Sequence, residues 1–206
     1  MAKPFLTDES KAALSDAVRA VEAACSAELV AAVRPQSGSY LHADLAVGIL
    51  AGLVTLAVLL YSQWTFGLVW FLVDPVVAGA LAGFAASRSH LLRRAFTRRR
   101  TRRGRVEMAA RSTFIERRVH STSGRTGILL YISLLEREAA VVVDLGVEAL
   151  AATDAWRAAV SDIESAVRRG ASGTEVAAKI RELAAVLGPA LERSAADVDE
   201  LPNEVC

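Results

Sequence analysis

Leu45–Tyr61 reads LAVGILAGLVTLAVLLY, and after the four residues Ser62–Thr65 a second run, Phe66–Ala86, reads FGLVWFLVDPVVAGALAGFAA. The first run carries no charge and the second carries only Asp74. With its flanks, each run reaches roughly 20 residues, which at about 1.5 Å per helical residue matches the ~30 Å of a bilayer's hydrocarbon core. So short a connection allows only a tight helical hairpin. The sequence therefore predicts two membrane spans at 45–86.

Working outward, the segment 87–104 and its immediate flanks are dominated by arginine. Arg88, Arg93, Arg94, Arg98, Arg99, Arg100, Arg102, Arg103 and Arg105 occur with no acid among them, while the loop between the runs is uncharged. By the positive-inside rule this tract faces the cytoplasm. A hairpin returns to the side it left, so residues 1–44 and 87–206 are both expected there, at a bacterial inner membrane. The segment before the hairpin has Thr7, Asp8, Glu9, Ser10 and Lys11 where a secretory leader would have an apolar stretch. The overall charge of +1 conceals this block: without its nine arginines the chain is acidic. Two cysteines, Cys25 and Cys206, suffice for neither a disulfide framework nor a thiolate metal site.

What remains is enough for one modest domain, cut in two by the hairpin. The N-terminal piece, 1–44, opens with a helix capped by Thr7, with Leu14, Val18, Val21 and Cys25 at helical spacing. Glu28–Arg34 (ELVAAVR) is apolar at odd and even positions alike, as in a strand covered on both faces. A lone helix and strand need partners, and these follow in 105–193. They comprise a helix over 105–119 with Val106, Ala110 and Phe114 on one side, a strand over 127–134 (GILLYISL), a Glu-Arg turn, and a strand over 138–145 (EAAVVVDL). Two amphipathic helices complete the piece. One is capped by Thr153, repeats Trp156, Val160, Ile163 and Val167, and stops at Gly170. The other is capped by Thr174, repeats Val176, Ile180, Leu183 and Leu187, and stops at Gly188-Pro189. Residues 194–206 form an acidic tail. The expected class is α/β, a small mixed sheet sandwiched by helices and split by the membrane hairpin.

Residues 27–40 (AELVAAVRPQSGSY) and 118–147 (RVHSTSGRTGILLYISLLEREAAVVVDLGV) resemble the first strand and central hairpin of the TPM domain family, the thylakoid-lumen phosphatase-like domains. The shared features are the glycine before the second strand, Ser133 near its end, the Glu-Arg turn and the Asp-x-Gly after the third strand. The placement of the hairpin is similar to that in a bacterial membrane subgroup. The resemblance implies an α/β sandwich. For activity it implies either acid phosphatase chemistry, divalent-cation binding by acidic loops, or a role in assembling membrane complexes. Two acidic-loop patterns differ: Arg125-Thr126-Gly127 stands for Asp-Asn-Gly, and Gly170-Ala171-Ser172 for Gly-Asp-Tyr.

Metal-assisted phosphate chemistry needs several carboxylates converging on an open coordination position. Glu28, Glu136, Glu138 and Asp144 lie at strand ends and are the candidates to gather at one rim of the sheet. The favoured reading is that they are solvated strand-end residues or cap neighbouring elements. No phosphate loop, paired histidines or nucleophile elbow accompanies them, so no cofactor is assigned, a divalent cation excepted as an option. Ser133 reads as a small core residue, and His42, His90 and His120 as scattered surface or interfacial residues. Asp74 in the second span needs a partner, since a charge there costs on the order of 3 kcal/mol. Thr55 on the facing span is the expected hydrogen-bond donor, and another subunit is the rival. The arginines Arg93, Arg94, Arg98, Arg99, Arg100, Arg102 and Arg103 are expected to meet anionic headgroups, ahead of an acidic protein or nucleic acid. Ala78, Gly79, Ala82, Gly83 and Ala86 offer a close-approach seam within the hairpin. The leading expectation is a non-enzymatic membrane-anchored interaction or assembly module, whose partners are other membrane subunits or its own copies. The alternative is a weak tethered phosphatase.

Overall fold

Seven consecutive buried residues, Gly127–Ser133, make the central strand of the protein. The computed structural model describes residues 5–192, so the acidic tail read at 194–206 lies outside the described residues. Helix α1 (Asp8–Ala24) leads into β1 (Glu28–Arg34). Two long helices follow, α2 (Leu41–Tyr61) and α3 (Leu68–Arg88), then the short α4 (His90–Ala95) and α5 (Arg99–Glu116). Strands β2 (Gly127–Ser133) and β3 (Glu138–Val143) precede α6 (Glu148–Ala151), α7 (Asp154–Arg169) and α8 (Gly173–Leu187). The described protein is mostly helical, with one small mixed sheet.

The chain divides into two compact units, one made of 1–37 with 103–206 and the other of 38–102. In the first, the strand order is β1-β2-β3. β1 runs parallel to β2, with Glu28 opposite Gly127 and Arg34 opposite Ser133, and β3 runs antiparallel to β2 from Ser133↔Glu138 to Ile128↔Val143. Alternation divides the strand side chains between two cores. Leu29, Ala31, Val33, Ile128, Leu130 and Ile132 join the apolar stripes of α1, α7 and α8. Val30, Ala32, Leu129 and Tyr131 meet Val106, Ala110 and Phe114 of α5, together with Val119. Burial on both faces accounts for the unbroken apolar character of β1 and β2.

Local chemistry sets the boundaries. The Thr7 and Thr153 hydroxyls accept from the amides of Ser10 and Trp156, and Gly170 ends α7 with φ +79°, a conformation that favours glycine. Gly127 has no room for a side chain: a Cβ would lie 2.0 Å from the Val119 carbonyl oxygen. Two expectations are corrected. Helix α8 is capped by Ser172, whose Oγ accepts from Glu175 N at 3.2 Å, and not by Thr174, which lies inside the first turn. Helix α5 begins at Arg99 and not at 105, because arginine is a good helix former and Gly104 weakens the helix without ending it.

In the second unit, α2 and α3 pack as an antiparallel pair along glycines. A Cβ on Gly48 would meet the Gly79 carbonyl oxygen at 2.8 Å, and one on Gly52 would meet that of Pro75 at 2.9 Å. Gly79 and Gly83 thus form the seam with Gly48 and Gly52, a pair of small-xxx-small motifs that bring the backbones together. Both helices are long and apolar enough to cross a membrane, and most of their large side chains point outward.

Candidate functional site

The register decides where the candidate carboxylates lie. Glu28 begins β1 opposite Gly127, and the amide of Asp144 donates to the Gly127 carbonyl at 2.9 Å, so these two acids share one end of the sheet. Glu136 lies in the turn after Ser133 and Glu138 follows it, at the other end of a seven-residue strand, roughly 20 Å away. The single rim anticipated from strand-end positions is therefore corrected to two. The antiparallel return of β3 carries its start and finish to opposite edges.

Glu136, Glu138 and Asp144 have partners within the fold, and Glu28 is buried at the head of β1. Glu136, 1% exposed, accepts the Ser37 amide at 2.9 Å on Oε1 and the Ser133 hydroxyl on Oε2. It fastens the turn after β2 to the chain leaving β1, beside the bonds from Leu134 N to Arg34 O and from Leu135 N to Pro35 O. Ser133 is fully buried and donates to that carboxylate. Buried Glu138 lies 3.7 Å from the Arg168 guanidinium, which also faces Glu164 at 3.6 Å. Asp144 Oδ1 caps the following turn through Leu145 N at 2.8 Å, and Arg125 approaches it at 3.5 Å. Buried Glu28 stands beside Leu29, whose amide donates to Glu22 Oε1 at 3.2 Å. Among the described residues, no three histidine, cysteine or carboxylate side chains converge as a metal ion requires. A cavity of about 120 Å³ lies next to Ser133, lined by Phe5, Leu134, Arg137, Val167 and Gly170.

The hairpin unit holds an ion pair that pattern reading missed. Arg93 of α4 donates from Nε to Asp44 Oδ1 at 3.0 Å and from Nη2 to Oδ2 at 2.7 Å, a bidentate pair with both side chains largely buried. The hydrogen bond to Asp44 raises the Arg93 guanidinium above its ordinary value, against the opposing effect of burial. Its only sequence signal is an acid at the start of the first apolar run and a base just past the end of the second.

The pairing of Gly52 with Pro75 places Asp74 level with Leu53, one residue from the expected Val54–Thr55 level. The Thr55 hydroxyl donates to the Ala51 carbonyl at 2.9 Å, so the bond expected with Asp74 is replaced by one within its own helix. Asp74 is half-buried in the second turn of α3, toward its Leu68 end and not near the middle.

The arginines divide into different environments. Arg93 faces Asp44, Arg102 donates to the Arg94 carbonyl at 2.9 Å, and Arg103 pairs with Glu107 at 2.9 Å and reaches Glu164 at 4.0 Å. The Glu107 hydrogen bond, followed by Glu164, raises the Arg103 guanidinium. Arg98, Arg99 and Arg100 are exposed. At the opposite end of the hairpin, Tyr61, Trp64 and Trp70 are exposed, Trp64 by 79%. Of the histidines, His42 stacks on Tyr40, His120 lies against Phe114, and His90 is exposed at the start of α4.

No family model matches the chain. Curated proteins give no match either. Among solved structures, the chain is similar to the NMR structure of BA42 protein from the psychrophilic bacterium Bizionia argentinensis sp. nov.. The TM-score is 0.59 at 16% identity, covering 100% of this chain and 97% of that one. The likeness concerns the fold.

Proposed function

We propose that the protein is a membrane-anchored interaction module, a TPM-like sheet domain held at a bacterial inner membrane by the α2–α3 hairpin. Both termini lie on the cytoplasmic side, and the sheet domain serves the assembly of a larger membrane complex. Two features support the anchor. Neither long helix is a covered core helix, since α3 in particular leaves its large apolar side chains exposed away from its seam with α2. Water expels a surface of that size, whereas hydrocarbon accepts it. One end of the hairpin carries Tyr and Trp and the other carries arginine, the residue types of the two membrane interfaces.

The observation that carries the interaction role is the outer face of α5. Val106, Ala110 and Phe114 cover the sheet, while Met108 (75% exposed) and Ile115 (65%) project from the opposite side at i, i+7 spacing beside exposed Arg111. An apolar pair with a basic neighbour suits an acidic-rimmed protein surface. A phosphatase reading would need converging carboxylates, and here they sit at opposite sheet ends in structural bonds.

The test is the mass of the complex released from native membranes in mild detergent. The full chain elutes as an assembly, either with other subunits or with its own copies, and Met108→Asp/Ile115→Asp shifts it toward the single chain. Elution of the unaltered protein as a lone chain contradicts the reading.

A further inference from the structure

Helix α4 faces the wrong way for water. At about 100° per residue, Leu91, Leu92, Ala95 and Phe96 fall within one arc of roughly 140°, and His90, Arg93 and Arg94 fall on the other side. In a water-soluble protein the charged side of such a helix points outward. Here Arg93 turns inward to Asp44, and Leu91 (73%) and Phe96 (45%) are exposed. Only Ser89 separates α3 from α4, and its hydroxyl caps the new helix through Leu92 N at 3.4 Å. The inverted helix therefore starts where the apolar surface of α3 ends.

We infer that α4 is an interfacial foot. It lies in the bilayer surface with Leu91, Leu92 and Phe96 in the boundary between headgroups and acyl chains, and with Arg98 and Arg100 on anionic headgroups. This rests on the membrane reading of the hairpin. Two observations favour lipid over a protein partner. The exposed apolar face continues that of α3, and the exposed arginines that follow it have the charge that anionic lipid attracts. The Asp44–Arg93 pair decides which side turns outward, because it holds the charged side of α4 against the first turn of α2. Arg93 is then the hairpin's own counter-ion. The headgroup contacts narrow to the exposed arginines beyond Phe96.

The experiment uses the full chain with Cys25→Ser and Cys206→Ser, and an environment-sensitive fluorophore on a single cysteine at Leu91, Leu81 or Ser112. Each protein is reconstituted into vesicles of phosphatidylcholine alone or with phosphatidylglycerol. Lipids carrying a shallow spin label quench the probe at Leu91, and iodide quenches it several-fold less than at Ser112. Adding phosphatidylglycerol increases the lipid quenching, and Arg98→Gln/Arg100→Gln removes that increase. Iodide reaching Leu91 as readily as Ser112, with Leu81 still shielded, overturns the foot and leaves the hairpin in the membrane. Iodide reaching Leu81 as well overturns the membrane reading and the foot with it. Shielding at Leu91 in native membranes but not in lipid vesicles assigns the face to a protein and overturns the proposal. Quenching indifferent to phosphatidylglycerol overturns the anionic contact alone.

Discussion

The two units follow opposite packing rules. The sheet unit packs Leu, Ile and Val between strands and helices, whereas the hairpin brings Gly48, Gly52, Gly79 and Gly83 together at its seam and turns its large apolar side chains outward. In water the hydrophobic effect rewards the first arrangement. The second is favoured where the surroundings are themselves apolar, so that close backbone contact, and not expulsion of water, holds the helices together. On the proposed reading, one chain thus encodes two solvents.

The sharpest way to break the contrast is at Gly127. Gly127→Val forces side-chain atoms into the Val119 carbonyl, and we expect a loss of about 4 kcal/mol, a large part of a small domain's stability. Gly104→Ala, where a Cβ meets nothing within 4 Å, is expected to stabilise α5 by up to about 1 kcal/mol. Thermal unfolding followed by near-ultraviolet circular dichroism checks both. Glu136→Ala strands the Ser37 amide and the buried Ser133 hydroxyl and is expected to cost about 3 kcal/mol, read from denaturant midpoints.

Asp44→Ala probes the hairpin side of the comparison. It removes the carboxylate that faces the largely buried Arg93 guanidinium, which we expect to cost about 2 kcal/mol of local closure. Faster hydrogen exchange confined to α4 and the first turn of α2, with the sheet unit unchanged, is the expected outcome. Alkali does not mimic this substitution. A raised guanidinium adds stability that is fully present below its unfolded value and is lost only as pH climbs through the folded one. Since a guanidinium stays protonated far above neutral pH even in the unfolded chain, ordinary alkaline extraction leaves the pair closed. A small effect is expected at Thr153→Ala, about 1 kcal/mol for a lost helix cap, seen as a shift in the melting temperature.

The sequence reveals local rules well and distant pairings poorly. Glu28–Arg34 and Gly127–Ser133 are readable as strands because burial on both faces removes polar alternation. Thr7, Thr153 and Gly170 mark helix ends because capping is a contact within one turn. The start of α5 is obscured because the arginine tract attracts attention by charge while helix propensity runs through it. Ser172 escapes notice as a cap because Thr174, two residues on, is an equally suitable type. The candidate site is the least legible part. Whether Glu28, Glu136, Glu138 and Asp144 meet depends on sheet register, and the Asp44–Arg93 pair depends on hairpin depth; neither leaves a local trace.

The most direct test of the two-solvent account is a cysteine scan of α3, Leu68–Arg88, in sealed vesicles, with a water-soluble maleimide as the probe. The account expects protection on every face of the helix through its apolar length, ending abruptly at Arg88. Reactivity that rises and falls every 3.6 residues would mean that one side of α3 faces water, and would contradict it.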